Sequence, residues 1–103
     1  PGSLTAGQNL KIIQVQNFEK QKVLTAVFFN ESQSLKQISK KTGGHEEILY
    51  TPEGGSAEGF KTLFLSYHHQ GPLFFMIFQV TVPEHQEGAL ILNDGRADWS
   101  AGY

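Results

Sequence analysis

An antiparallel β-sandwich of about seven to eight strands is the fold this sequence predicts, and three observations predict it. Apolar residues recur at period two rather than at the helical period. Turn chemistry interrupts the alternating runs at short intervals along the whole chain. Eight of the 103 residues are Phe, and aromatic and β-branched side chains suit a pleated, half-buried surface.

Taken in order, residues 10–16 form the first run, with Ile13 and Val15 on one face and Gln14 and Gln16 on the other. Asn17-Phe18-Glu19-Lys20 turns the chain. Over residues 23–29, Val23, Thr25, Val27 and Phe29 alternate with Leu24, Ala26 and Phe28. The polar stretch from Asn30 to Ser34 marks the next turn. Residues 35–41 fit either a helical turn or a strand, because Leu35, Gln37 and Ser39 set against Lys36, Ile38 and Lys40 favour neither. Gly43-Gly44 punctuates the chain before a strand over 46–50, with Ile48 and Tyr50 inward. Residues 52–59 read as one long flexible loop. Over residues 60–67, Leu63, Leu65 and Tyr67 share a face opposite Phe60, Thr62 and Phe64, and Gly71-Pro72 closes that stretch.

The clearest run spans 74–82. Phe74, Met76, Phe78, Val80 and Val82 alternate with Phe75, Ile77, Gln79 and Thr81. Such a strand is buried on both faces at its start and on one at its end. Pro83 stops it, residues 89–92 make a short last strand, and Asn93-Asp94-Gly95 turns tightly behind it. One domain over 4–103 accounts for these elements, and Pro1-Gly2-Ser3 reads as a cloning remnant.

Composition excludes several functions. A chain without cysteine has no disulfide framework and no thiolate metal site. The longest apolar run, residues 73–78, holds six residues against the roughly 20 that a membrane helix needs, so no membrane insertion is expected. A net charge of −2 with mixed signs is not the basic face of a nucleic-acid binder. The cellular compartment stays open; lack of cysteine is compatible with an intracellular one.

Catalytic and metal motifs are sought first among the histidines. His68-His69 precedes Gln70-Gly71-Pro72 and reads as a solvated hairpin loop. His45, next to Glu46 and Glu47, has no partner at ligand spacing and His85 lies in a polar turn, so no metal and no cofactor is expected. There is no nucleophile elbow, phosphate-cradling glycine loop or HExxH. Asp94 and Asp98 stand four residues apart. They suit a carboxylate pair less well than Asp94 suits the turn, since Asp bonds its own backbone there. The chain is therefore expected not to be an enzyme.

Residues 93–103 hold the single Trp among small polar residues. Trp99 in a loop offers a flat apolar face flanked by hydrogen-bonding groups, which suits a sugar ring, while a core anchor is the other role open to it.

Two patches resemble the starch- and glycogen-binding modules of carbohydrate-binding families 21 and 25. Ile13-Gln-Val-Gln-Asn17 with Phe18-Glu-Lys-Gln-Lys-Val23 is similar to the opening of family 21. Leu92-Asn-Asp-Gly95, then Trp99 and Gly102-Tyr103, is similar to the close of family 25. Ser100 and Ala101 stand where those families carry an Asn pair after the Trp. The resemblance implies an immunoglobulin-like sandwich that binds α-glucan by stacking on Trp99, with Tyr103, Asn93 and Asp94 nearby. The alternative is a protein–protein interaction domain, with self-association open to it. Some of Leu24, Phe28, Phe75 and Ile77 are expected to surface as an apolar patch.

Overall fold

The computed structural model of the protein describes residues 9–31, 35–55 and 62–103. Residues 1–8 with the cloning remnant at 1–3, Ser32 to Ser34, residues 56–59 of the expected loop and the predicted strand start at Phe60 lie outside the described residues. Nine strands are described: β1 (Leu10–Asn17), β2 (Gln21–Asn30), β3 (Gln37–Thr42), β4 (His45–Thr51), the two-residue β5 (Gly54–Gly55), β6 (Thr62–Gln70), β7 (Leu73–Pro83), β8 (Ala89–Asn93) and β9 (Asp98–Gly102).

They form two antiparallel sheets, β1-β2-β7-β6 and β5-β4-β3-β8-β9. Without the short β5, eight strands remain, in the range the sequence predicts. The chain changes sheet after β2, after β5 and after β7. This order, four strands against β4-β3-β8-β9, is the Greek-key arrangement of immunoglobulin-like sandwiches with one strand added to the smaller sheet.

The period-two pattern explains which side chains meet between the sheets. Phe74, Met76, Phe78, Val80 and Val82 of β7 are all buried, beside Leu24, Ala26 and Phe28 of β2. Ile38, Leu49, Leu90 and Leu92 close the core from the other sheet. Each such side chain contributes about 1.5–3 kcal/mol through apolar area removed from water. Two hairpin turns match their glycines: Gly43 at φ 61° joins Thr42 to His45, and Gly71 at φ 59° joins Gln70 to Leu73. Positive φ is accessible to glycine without steric cost, which suits two-residue hairpin loops.

Several expectations are corrected. Of the two readings open for residues 35–41 the structure has the strand: β3 is a central strand of its sheet. Ile48 points outward and Leu49 is buried, because the register slips where Ile38 faces Tyr50 and Ser39 faces Ile48. Leu49 is thus the extra residue of a bulge, and it takes the core position expected of Ile48. A second bulge at Ile13 leaves Ile13 and Val15 exposed, while Leu10 and Ile12 face the core. A third, at Leu65, breaks the alternation expected across 60–67. Some of four residues are expected to surface as a patch; Leu24 and Phe28 are not among them, being fully buried. Phe75 and Ile77 do face outward, opposite Phe29 and Val27. His68 and His69 are not in a loop: they end β6, opposite Phe75 and Phe74, on opposite faces of the sheet. Finally, the run at residues 89–92 is not the last strand, since β9 follows it.

A candidate ligand groove over Trp99

Trp99 belongs to β9, not to a loop. The connection from β8 is the short turn 94–97, closed by the Asp94 amide donating to the Ala97 carbonyl at 3.3 Å. The Asp94 carboxylate organises that turn. Its Oδ1 accepts the backbone N–H of Arg96 at 2.9 Å and of Ala97 at 3.0 Å. Its Oδ2 accepts the Asn30 amide at 2.5 Å and the Trp99 indole N–H at 3.1 Å. A carboxylate offers roughly four acceptor sites, and here four donors fill them. Asp94 is fully buried.

Burial alone raises the Asp94 pKa, because the charged form loses water. The hydrogen bonds outweigh it, led by the Arg96 amide and followed by Trp99, Ala97 and Asn30, and hold the carboxyl below its ordinary value. Asp94 therefore stays ionised and positions its neighbours. It does not face a ligand. Asp98 takes the Asn93 amide instead, at 2.7 Å, so the two carboxylates serve separate partners.

The indole of Trp99 is half-buried. Its ring sits 6.4 Å from that of Phe28, tilted by 55°, which anchors it on the core. The rest of the ring borders a groove of about 420 Å³ at the end of the sandwich. Phe29 and Leu73 line that groove, both close to half exposed, and Asn9, Asn30, Glu31 and Arg96 surround them. The sheet pairing explains the meeting: Asn30 pairs with Phe74, which sets the end of β2 beside the start of β7. The Asn9 amide donates to the Phe29 carbonyl at 2.7 Å and holds the approach to β1 at the same end.

The four residues named from the sequence do not converge. Trp99 and Asp94 are joined by a hydrogen bond. Asn93 is their neighbour in sequence but lines a separate polar hollow of about 380 Å³ with Lys36, Gln37, Ser39, Glu46, Ile91 and Asp98. Its own Oδ1 accepts the Gly95 amide at 2.9 Å. Tyr103 lies four residues along the strand direction from Trp99, about 13 Å away at the usual rise. There its ring receives Lys22 Nζ at 5.4 Å. Its hydroxyl is buried near Thr42 and Gly88.

Sequence reading missed Phe29, Leu73 and Arg96 as groove residues. The outward position of Phe29 was visible in the alternation of 23–29, but nothing local joins it to Leu73 or Arg96. Among the described residues no three His, Asp or Glu side chains cluster at metal-binding distance. No protein-family model, curated protein or solved structure matches the chain.

Proposed function

We propose that the domain is a non-catalytic binding module whose ligand lies in the groove over Trp99, and that this ligand is an α-glucan such as starch or glycogen. One observation carries the reading: Trp99, Phe29 and Leu73 form an apolar floor beside the polar side chains of Asn9, Glu31 and Arg96. A glucose ring has the matching two-sided chemistry. Its C–H faces pack on aromatic and aliphatic carbon, while its hydroxyls accept hydrogen bonds from amide and guanidinium groups and donate to carboxylates.

The groove volume lies within the roughly 300–1,000 Å³ usual for small-ligand sites. The site also stands on loop ends held by two rigid sheets, where binding residues are commonly carried. Immunoglobulin-like sandwiches use such ends for recognition, a likeness of fold alone. Asp94 fits this reading as the residue that fixes the indole, not as a contact. Tyr103 and Asn93 have no part in it.

The test is the emission of Trp99, the single Trp, titrated with maltoheptaose and β-cyclodextrin beside a glycogen pull-down. A saturable shift is expected, with the pull-down lost in Trp99→Ala. Emission that does not respond to either sugar, with no glycogen retained by the unaltered protein, sinks the reading.

A further inference from the structure

Among the described residues the first sheet ends on two edge strands, β1 and β6, and β6 is the longer. Among the described residues β6 pairs only with β7, so the backbone N–H and C=O groups along its other side point outward. Proteins usually guard such an edge with charge, proline or brevity. β6 runs for nine residues, longer than the usual strand of about 5–6. From Thr62 to Val82 there is no Asp, Glu, Lys or Arg. The one guard is the bulge at Leu65, and beyond it residues 66–70 pair with β7 in unbroken register.

Side chains on both faces of this strand are bare. Leu63 lies opposite Gln79 on the outward face and is 59% exposed, whereas Tyr67 lies opposite Met76 on the core face and is 58% exposed. Leu65, between them, is 52% exposed. A second layer packed on the outside of the sheet would cover only the outward face. Exposure on both faces of one strand is what a missing neighbouring strand leaves.

We infer that this edge is a self-association surface, on which β6 pairs antiparallel with β6 of a second copy about a two-fold axis. The occupant follows from charge and symmetry. An uncharged edge is matched by an uncharged edge, and the second copy supplies one. A two-fold axis also places the same aliphatic and aromatic side chains across from one another, and such cross-strand pairs are favourable. Area sets the strength. Leu63, Leu65 and Tyr67 offer roughly 100 Å² each. With the strand backbone, the edge offers on the order of 400 Å² per copy, below the ~800 Å² per partner of a standard interface. The dimer is therefore weak and concentration-dependent. This surface is independent of the glucan reading.

The experiment is sedimentation of the full chain from low-micromolar to near-millimolar concentration. The weight-average mass is expected to climb toward that of a dimer and level there. Leu63→Lys and Leu65→Lys each place a charge on the edge, and each is expected to weaken association by about tenfold or more, equivalent to ~1.4 kcal/mol. Unchanged circular dichroism and Trp99 emission identify variants that fold, and two positions guard against one failing. A chain that stays monomeric throughout overturns the proposal. So does association that survives both lysines, which would place the interface elsewhere.

Discussion

The indole N–H of Trp99 donates to Asp94 Oδ2 at 3.1 Å, and the same oxygen accepts the Asn30 amide at 2.5 Å. Asn30 ends β2 in one sheet, while Asp94 and Trp99 belong to the β8–β9 hairpin of the other. One buried carboxylate thus clamps the two sheets together at the groove and sets the plane of the indole.

Asp94→Asn tests the clamp. The substitution keeps the size but replaces one acceptor oxygen with a donor, so at least one of the four donors is left unsatisfied. An unsatisfied buried donor costs about 1–3 kcal/mol. The expected loss of unfolding free energy is about 2–4 kcal/mol, since several donors share the site. Urea titration followed by Trp99 emission measures it. A loss within experimental error would mean that the network adds nothing to stability.

The same carboxylate gives the fold an acid-sensitive component. Its pKa is lowered in the folded state from the ordinary 3.8. Between the folded and unfolded values the unfolded chain holds the extra proton, so acid favours unfolding. The stabilisation is fully present above about pH 4–5, and it is lost as the pH falls through the folded value. The stability gap between the unaltered protein and Asp94→Asn is expected to narrow steadily below pH 4. Paired urea titrations from neutral pH downward check this, and a constant gap would contradict it.

Much of the fold was legible because strand periodicity is local. The alternation from Phe74 to Val82 names the core face of β7 without reference to any other strand. β9 was not legible: among Asp98, Trp99, Ser100, Ala101 and Gly102 only two apolar residues stand on the inward face, and Asp and Gly are poor strand formers. Its pairing with β8 supplies what its side chains do not. Bulges hid the rest, since one inserted residue at Leu49 reverses which neighbour is inward. Trp99 was visible as the single Trp. Its companions were not, because Phe29, Leu73 and Arg96 come from three distant segments: strand pairing joins the first two, and packing of the two sheets brings Arg96 to them. Tyr103 failed as a companion for the opposite reason: proximity in sequence along an extended strand is distance in space.

Gly88 predicts a second weak point, at the other end of β9. It exchanges backbone hydrogen bonds with Tyr103 at 2.8 and 3.3 Å. A Cβ placed there would overlap the Lys41 carbonyl oxygen and press on the Tyr103 hydroxyl at 3.1 Å and Thr42 Oγ1 at 3.2 Å. The carbonyl belongs to the β3 backbone and cannot swing aside as a flexible side chain would. Gly88→Ala is expected to cost about 1–3 kcal/mol, the usual range for overpacking. The thermal unfolding midpoint reads it, and a midpoint equal to that of the unaltered chain would show that the strand end yields.

Binding and stability should separate at Leu73, which they cannot do at Trp99. Trp99 packs on Phe28 and is bonded to Asp94, so Trp99→Ala loses core contacts along with any sugar contact. Leu73 is close to half exposed at the start of β7 and lines the groove from the opposite side. Leu73→Ser removes apolar floor while taking little area from the core. It is expected to leave the unfolding free energy within about 0.5 kcal/mol of the unaltered protein, as for a surface substitution. Its affinity for maltoheptaose is expected to fall by roughly tenfold, the loss of ~1.4 kcal/mol of contact. Trp99 remains in this variant, so one fluorophore reports both titrations. An unchanged affinity would remove Leu73 from the floor and confine the sugar to Trp99 and Phe29; a large stability loss would assign Leu73 to the core instead.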